Sequence, residues 1–101
     1  MAVPGLGSVH TSSIRTTDGV FGTSATALIA FAVIVKGGSA TTLADITNGS
    51  DGSGTAMLDI IAPINDTITV NLGPNGLFFP GGAHLDITTT GGSVTLVYSQ
   101  A

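Results

Sequence analysis

The longest apolar segment of the chain runs from Ala27 to Val35 and is followed by Lys36 and a pair of glycines. Its nine residues fall far short of the roughly 20 that a membrane-spanning helix requires. Several of them are β-branched, and such residues fit a pleated strand better than a helix. Strand alternation predicts one face with Ile29, Phe31, Val33 and Val35, and a second face with Leu28, Ala30, Ala32 and Ile34. Because both faces are apolar, we expect this strand to be covered twice within its own domain, or once by the domain and once by a neighbouring subunit.

Shorter strand-like segments, separated by glycine-rich turns, make up most of the remaining sequence. They cover residues 8–16, 41–47, 56–61, 66–72, 77–79, 83–89 and 93–99. The alternation is clearest in the last third of the chain, where it predicts inward-facing Ile68, Val70, Leu72, Leu85, Ile87, Val94, Leu96 and Tyr98. No window has the period of an amphipathic helix. The sequence therefore predicts an all-β fold, a single antiparallel β-sandwich that is jelly-roll-like or a related Greek key.

Two of the segments carry apolar residues on both faces. In residues 41–47, Leu43 and Ile46 fall on opposite sides, which a β-bulge or burial of both sides would reconcile. In residues 56–61, Leu58 and Ile60 share one side, and Met57, Asp59 and Ile61 share the other.

Residues 1–13 have little periodicity and are interrupted by proline and glycine, which predicts an extended N-terminal arm before a sandwich domain at 14–101. The arm contains Val3, Leu6 and Val9, so we expect it to dock against another subunit. It lacks a basic region followed by an apolar region, and no secretory signal is expected.

The low charge of the chain narrows the possible functions. Its 101 residues suit one domain, and only 8% of them are charged, against about 25% in an ordinary protein. Two basic residues cannot neutralise a run of phosphates or hold a helix on a membrane surface, so neither nucleic acid nor membrane is an expected partner. The absence of cysteine excludes disulfides and thiol chemistry. So little charge indicates a surface that is largely covered by other chains.

Candidate catalytic and metal-binding residues are few. The loop at residues 48–54 is rich in oxygen ligands, but Asp51 is its only carboxylate and calcium prefers several. His84 is two residues from Asp86, and His10 is the other histidine, yet no nucleophile motif or third ligand accompanies them. We therefore expect no catalytic, metal or cofactor site.

Phe78 and Phe79 are the only aromatic cluster. Consecutive strand residues point in opposite directions, so the domain's core can hold at most one of them. We expect a partner subunit to cover the other; a carbohydrate ligand in host attachment is the alternative. The predicted interface residues are Val3, Leu6, Val9, Ile29, Phe31, Val33, Phe78 and Phe79.

Several segments resemble small β-sandwich structural proteins from the virions of tailed bacteriophages. These are V-K-G-G-S at 35–39, T-T-L-A-D at 41–45 with G-S-G-T-A-M-L at 52–58, G-L-F-F-P-G-G at 76–82 and G-G-S-V-T-L-V-Y at 91–98. The resemblance implies a non-enzymatic virion component, most simply a cement or decoration protein, assembled in the host cytoplasm. It would form a homotrimer on the capsid surface and stabilise the shell of the major capsid protein. A neck, tail or fibre-base component is the alternative within the same family.

Overall fold

The computed structural model describes residues 8–100, and within this range the chain forms β-strands connected by turns and loops. The strands are β1 (Val9–Thr11), β2 (Gly19–Phe21), β3 (Leu28–Lys36), β4 (Thr42–Asn48), β5 (Ala56–Ala62), β6 (Thr67–Asn71), β7 (Leu77–Phe79), β8 (Ala83–Thr88) and β9 (Ser93–Gln100).

The strands form two antiparallel sheets that pack face to face, which confirms the predicted β-sandwich. Sheet A has the order β1-β9-β3-β6, with β7 also paired to β3, and sheet B has the order β2-β8-β4-β5. The pairings are nested: β4 pairs with β5, β3 with β6 and β7, β2 with β8, and β1 with β9. The chain thus resembles one long hairpin, turned between β4 and β5 and rolled up. This is the jelly-roll arrangement, one of the two predicted alternatives.

The core lies between the sheets and is formed by alternate residues of each strand. Its fully enclosed large side chains are Phe21, Leu28, Val33, Val35, Ile46, Phe79, Leu85, Val94 and Leu96. The predicted inward faces of β6, β8 and β9 are confirmed, since their inward residues are buried or packed against this core. In β5, the side with Leu58 and Ile60 is the one that faces the core. Glycine makes one close crossing possible: a Cβ at Gly38 would overlap the backbone oxygen of Thr90 in the turn between β8 and β9.

The predicted faces of β3 are wrong, because a β-bulge divides the strand. The pairing with β9 shifts between Ala30 and Ala32, which leaves Phe31 without a partner residue on β9. Before the bulge the buried residues are Leu28 and Ala30; after it they are Val33 and Val35. The extra residue reverses the alternation, so the inward residues no longer share one parity in the sequence. The carbonyl oxygen of Phe31 instead accepts a hydrogen bond of 2.9 Å from the backbone N–H of Leu72.

The described part of the predicted N-terminal arm belongs to sheet A. Residues 9–11 pair with β9, and Ser12 continues the contact, donating its N–H to the Leu96 oxygen and accepting the Leu96 N–H on its own Oγ. The sheet therefore begins before the predicted domain boundary at residue 14. Val3 and Leu6 lie outside the described residues.

Candidate functional site

The outer surface of sheet A carries a row of side chains that crosses four strands. Val9 of β1 lies opposite Ser99 of β9, Ser99 lies opposite Ile29 of β3, and Ile29 lies opposite Phe78 of β7. With neighbouring strands spaced by about 4.8 Å, the row is about 14 Å long. Its two ends are the most exposed, since 45% of Val9 and 50% of Phe78 remain accessible. Between them, Ile29 is half-buried and Ser99 is 0% exposed.

Phe31 joins this row because of the bulge. A Cβ at Gly76 would lie 2.6 Å from Ile29 Cγ2 and 3.1 Å from Phe31 Cδ1, so both side chains lie against this glycine. Gly76 has a φ of 69°, a conformation that glycine adopts at little cost. The glycine turn between β6 and β7 thus supports Ile29 and Phe31 side by side. We call Val9, Ile29, Phe31 and Phe78 the apolar face.

The surroundings of the apolar face contain almost no charge. The next row along the sheet is Thr11, Val97, Ala32 and Asn71, and Ile34 follows with 37% of its surface exposed. Among the described outward positions of sheet A, Lys36 at the far end of β3 is the only charged residue. A surface of this kind has little to gain from water and suits contact with another protein.

The structure separates the predicted interface residues into three groups. Val9, Ile29, Phe31 and Phe78 come together on the apolar face. Val33 and Phe79 are 0% exposed and belong to the core, so they are not available to a partner. Val33 faces inward because of the bulge. Phe78 and Phe79 are consecutive strand residues and face opposite sides of the sheet, and Phe79 is the one that faces the core. The remaining two residues lie in the undescribed range.

The outer surface of sheet B has a different character, which the sequence did not predict. Asp45 of β4 lies opposite Asp59 of β5 on one side and opposite Asp86 of β8 on the other. The pKa of Asp45 is raised above its ordinary value, first by burial, then by a hydrogen bond with Asp59 and by the negative charges of Asp59 and Asp86. We call Asp86, Asp45 and Asp59 the aspartate row.

His84 lies beside the aspartate row, as its spacing from Asp86 predicted. Its Nδ1 is 3.5 Å from Asp86 Oδ1, and its side chain is 12% exposed. The loop at 48–55 reaches this point, because a Cβ at Gly52 would lie 3.0 Å from Asp86 Oδ1 and 3.3 Å from His84 Cε1. His10 is in the other sheet, with its ring 5.6 Å from that of Tyr98. The two histidines therefore do not form a pair.

The chemistry of these polar groups is limited. Asp51, the carboxylate of the oxygen-rich loop, accepts the Ser53 N–H at 2.9 Å and the Ser53 hydroxyl at 2.6 Å, which closes a local turn. These two hydrogen bonds lower the pKa of Asp51. Within residues 8–100, no three or more His, Cys, Asp or Glu side chains are grouped so that they could hold a metal ion together.

The free edge of sheet B is also apolar. Leu43 of β4 is 44% exposed and lies opposite Ile61 of β5, which is 57% exposed. Leu43 simply points outward, so neither the predicted bulge nor burial of both faces is needed at this residue. A bulge does occur near Ile46, where β5 has the extra residue, Met57.

Comparison with known proteins gives no relative: no family model, no curated protein and no solved structure matches this chain. In the part of the chain that the structure describes, no helix has the length and apolar character needed to cross a membrane.

Proposed function

We propose that this chain is a non-enzymatic structural protein that assembles with copies of itself and with a larger shell. The observation that carries the proposal is the apolar face, whose residues lie on β1, β3 and β7, with Phe78 half exposed at one end and Val9 at the other. A single domain gains nothing from such a surface. A second copy, or a shell subunit, would bury it and gain hydrophobic free energy.

The setting that we propose is a virion. The resemblance of residues 29–98 to phage virion proteins supports it, and so does the jelly-roll arrangement, which recurs in viral capsid proteins. The second support is an analogy at the level of the fold, and the same fold also occurs in lectins. Within the virion we propose a cement or decoration protein, as a homotrimer bound to the major capsid protein. A neck, tail or fibre-base component would use the same face.

The distribution of aromatic side chains favours a protein partner over a carbohydrate. A sugar site usually stacks the ligand on exposed aromatic rings, and Phe78 is the aromatic residue with the largest exposure in the described range. Phe21 and Phe79 are fully enclosed, and Tyr98 is 9% exposed. Around Phe78 the apolar face offers Ile29 and Phe31 rather than polar partners for sugar hydroxyls.

Sedimentation equilibrium of the purified chain tests the proposal. We expect a concentration-dependent oligomer, which Phe78→Ser weakens. Ile14→Ser is the matched control, because Ile14 is an apolar residue that is 71% exposed outside the strands, and its loss should leave the oligomer unchanged. A monomer at all concentrations, or equal effects of the two substitutions, would refute the role of the apolar face.

The virion setting needs a separate measurement. Quantified protein bands from purified particles should give hundreds of copies for a decoration protein and tens or fewer for a neck or tail component. Particles without this chain should lose their shell at a lower temperature than complete particles. Binding to a glycan array that depends on Phe78 would instead support host attachment.

A further inference from the structure

The outer edge of sheet B presents a long strand with nothing beside it. β5 spans seven residues, Ala56–Ala62, and pairs with β4 on one side and with no described strand on the other. An unpaired edge exposes backbone N–H and C=O groups that another strand can use, and natural proteins usually protect such an edge with lysine, proline, a bulge or a short strand. β5 contains neither lysine nor proline, and its bulge at Met57 lies towards the start of the strand. Its only charged residue is Asp59, at the centre of the strand.

The sequence of β5 is suited to pairing with itself. In an antiparallel pair centred on Asp59, Met57 of one copy lies opposite Ile61 of the other, and the same contact is repeated on the far side of the axis. Both residues point to the outer side of sheet B, where Met57 is 36% and Ile61 57% exposed. Leu43 extends this apolar contact on the next strand, and Ile64, also 57% exposed, lies just beyond the end of β5.

The same pairing brings like charges together at its centre. Asp59 of one copy would lie opposite Asp59 of the other, so two aspartate rows would join into a single line of six carboxylates across the combined sheet. Opposed carboxylates in adjacent strands repel each other. Protonation removes this repulsion, and the free energy of the apolar and backbone contacts then remains.

We propose that β5 is a self-association edge, at which the β5 strand of a second copy pairs antiparallel about a two-fold axis at Asp59. The aspartate row prevents this pairing at neutral pH and permits it in acid. The occupant is a second copy because the pattern of β5 is complementary to itself. The proposal concerns a different surface from the apolar face and does not depend on the proposed function.

The other charged groups on this surface lie away from the β5 edge, so the carboxylates of the aspartate row control pairing there. The described titratable groups that face or approach the aspartate row are His84 on β8, Asp51 in the loop above it and Asp18 before β2. His84 is on the β8 side of the row, away from the free edge. Asp18 Oδ1 accepts the Ile87 N–H at 2.7 Å near the opposite edge of the sheet. The raised pKa of Asp45 supports the proposal, because the negative charges of Asp59 and Asp86 contribute to it and repulsion between carboxylates therefore already operates on this surface.

Substitution at neutral pH is the decisive test, because acid also brings the chain close to its isoelectric point of about 4.4, where proteins associate without specificity. Asp59→Asn removes the central charge. At about pH 7.5, above the carboxyl range, sedimentation equilibrium should give this variant at least twice the mass of the wild-type species at the same concentration. Asp18→Asn makes the same change of charge at the opposite edge and should leave the mass unchanged. An Asp59→Asn protein with the wild-type mass overturns the proposal.

A second pair of variants locates the new contact. Adding Ile61→Lys to Asp59→Asn should return the mass to that of the wild type. The Asp59→Asn/Phe78→Ser variant should still have at least twice the mass of Phe78→Ser alone. Because the chain has no cysteine, Asp59→Cys also allows a short bis-maleimide to link two copies at the axis, and Asp18→Cys should not be linked. A mass increase that survives Ile61→Lys, or one that Asp59→Asn fails to cause in the Phe78→Ser background, would assign the association to another surface and overturn the proposal.

Discussion

Truncating either phenylalanine of β7 should separate folding from assembly. Phe79 is 0% exposed and faces the core opposite Leu28, whereas Phe78 is 50% exposed and faces outward opposite Ile29. Phe79→Ala removes a fully enclosed ring and leaves a cavity, at a cost of about 3–5 kcal/mol. In a domain of this size, that cost should lower the midpoint of thermal unfolding by roughly 15–30 °C.

Phe78→Ala should have a small effect on folding and a larger one on association. The ring loses mainly its cross-strand contact with Ile29, which is worth about 1 kcal/mol or less. Half of a phenylalanine side chain is about 100 Å² of apolar surface, and covering it in an interface contributes about 2.5 kcal/mol before losses. The dissociation constant of the oligomer should therefore rise by up to roughly 70-fold.

Circular dichroism melts and sedimentation equilibrium of both variants measure the two effects. The melts are done on dilute protein, because association would otherwise add its own free energy to the apparent stability. Phe79→Ala should lose much of its thermal stability. Phe78→Ala should melt within a few degrees of the wild type, and its oligomer should dissociate at higher protein concentrations than the wild-type oligomer does. If both variants lost the same stability, or if Phe78→Ala associated as tightly as the wild type, the assignment of the two faces of β7 would be refuted.

Four further substitutions test the packing and the electrostatics. Gly38→Ala forces a methyl group into the backbone oxygen of Thr90 and should lower the free energy of unfolding by about 3 kcal/mol or more. Gly73 has open space around it and a φ of 83°, so Gly73→Ala should cost about 1–2 kcal/mol. Urea unfolding compares the two variants, and equal losses would argue against the close crossing at Gly38. The side chain of Gln100 donates two hydrogen bonds of 2.9 Å to the loop between β2 and β3 and accepts one of 2.7 Å from it. Gln100→Glu should lower the free energy of unfolding by about 2–4 kcal/mol, because it removes the donors and buries a charge. An unchanged free energy of unfolding would contradict these contacts. The pKa of Asp45 is raised in the folded state above 3.8, so the folded state binds this proton more tightly than the unfolded state, and the free energy of unfolding falls as pH rises from 3.8 through the folded pKa. Asp45→Asn should therefore be more stable than the wild type at neutral pH and should lose this pH dependence of stability. An unchanged pH profile would contradict the aspartate row.

The sandwich could be predicted from the sequence because its alternating segments are local signals. Residues 66–72, 83–89 and 93–99 alternate without interruption, and the structure places their apolar residues on the inner side of the sheets. The alternation fails in β3, because a bulge is set by the register of two partner strands. β9 pairs with both halves of β3 but skips Phe31, and nothing within β3 itself marks that residue.

The candidate site could be predicted only in part for the same reason. Two consecutive phenylalanines imply that one of them faces outward. Which one does so, and its alignment with Val9 and Ile29, depend on pairings between β1, β9, β3 and β7. The aspartate row gave no signal at all, since Asp45, Asp59 and Asp86 are far apart in the chain. Only the register of three strands brings them side by side.

The mass of the purified chain in solution, measured by sedimentation equilibrium over a wide range of concentrations at neutral pH, tests the central claim most directly. The account predicts a discrete oligomer that dissociates on dilution and is weakened by Phe78→Ser but not by Ile14→Ser. A chain that remains monomeric at the highest concentration reached would contradict the assignment of the apolar face as an interface between copies.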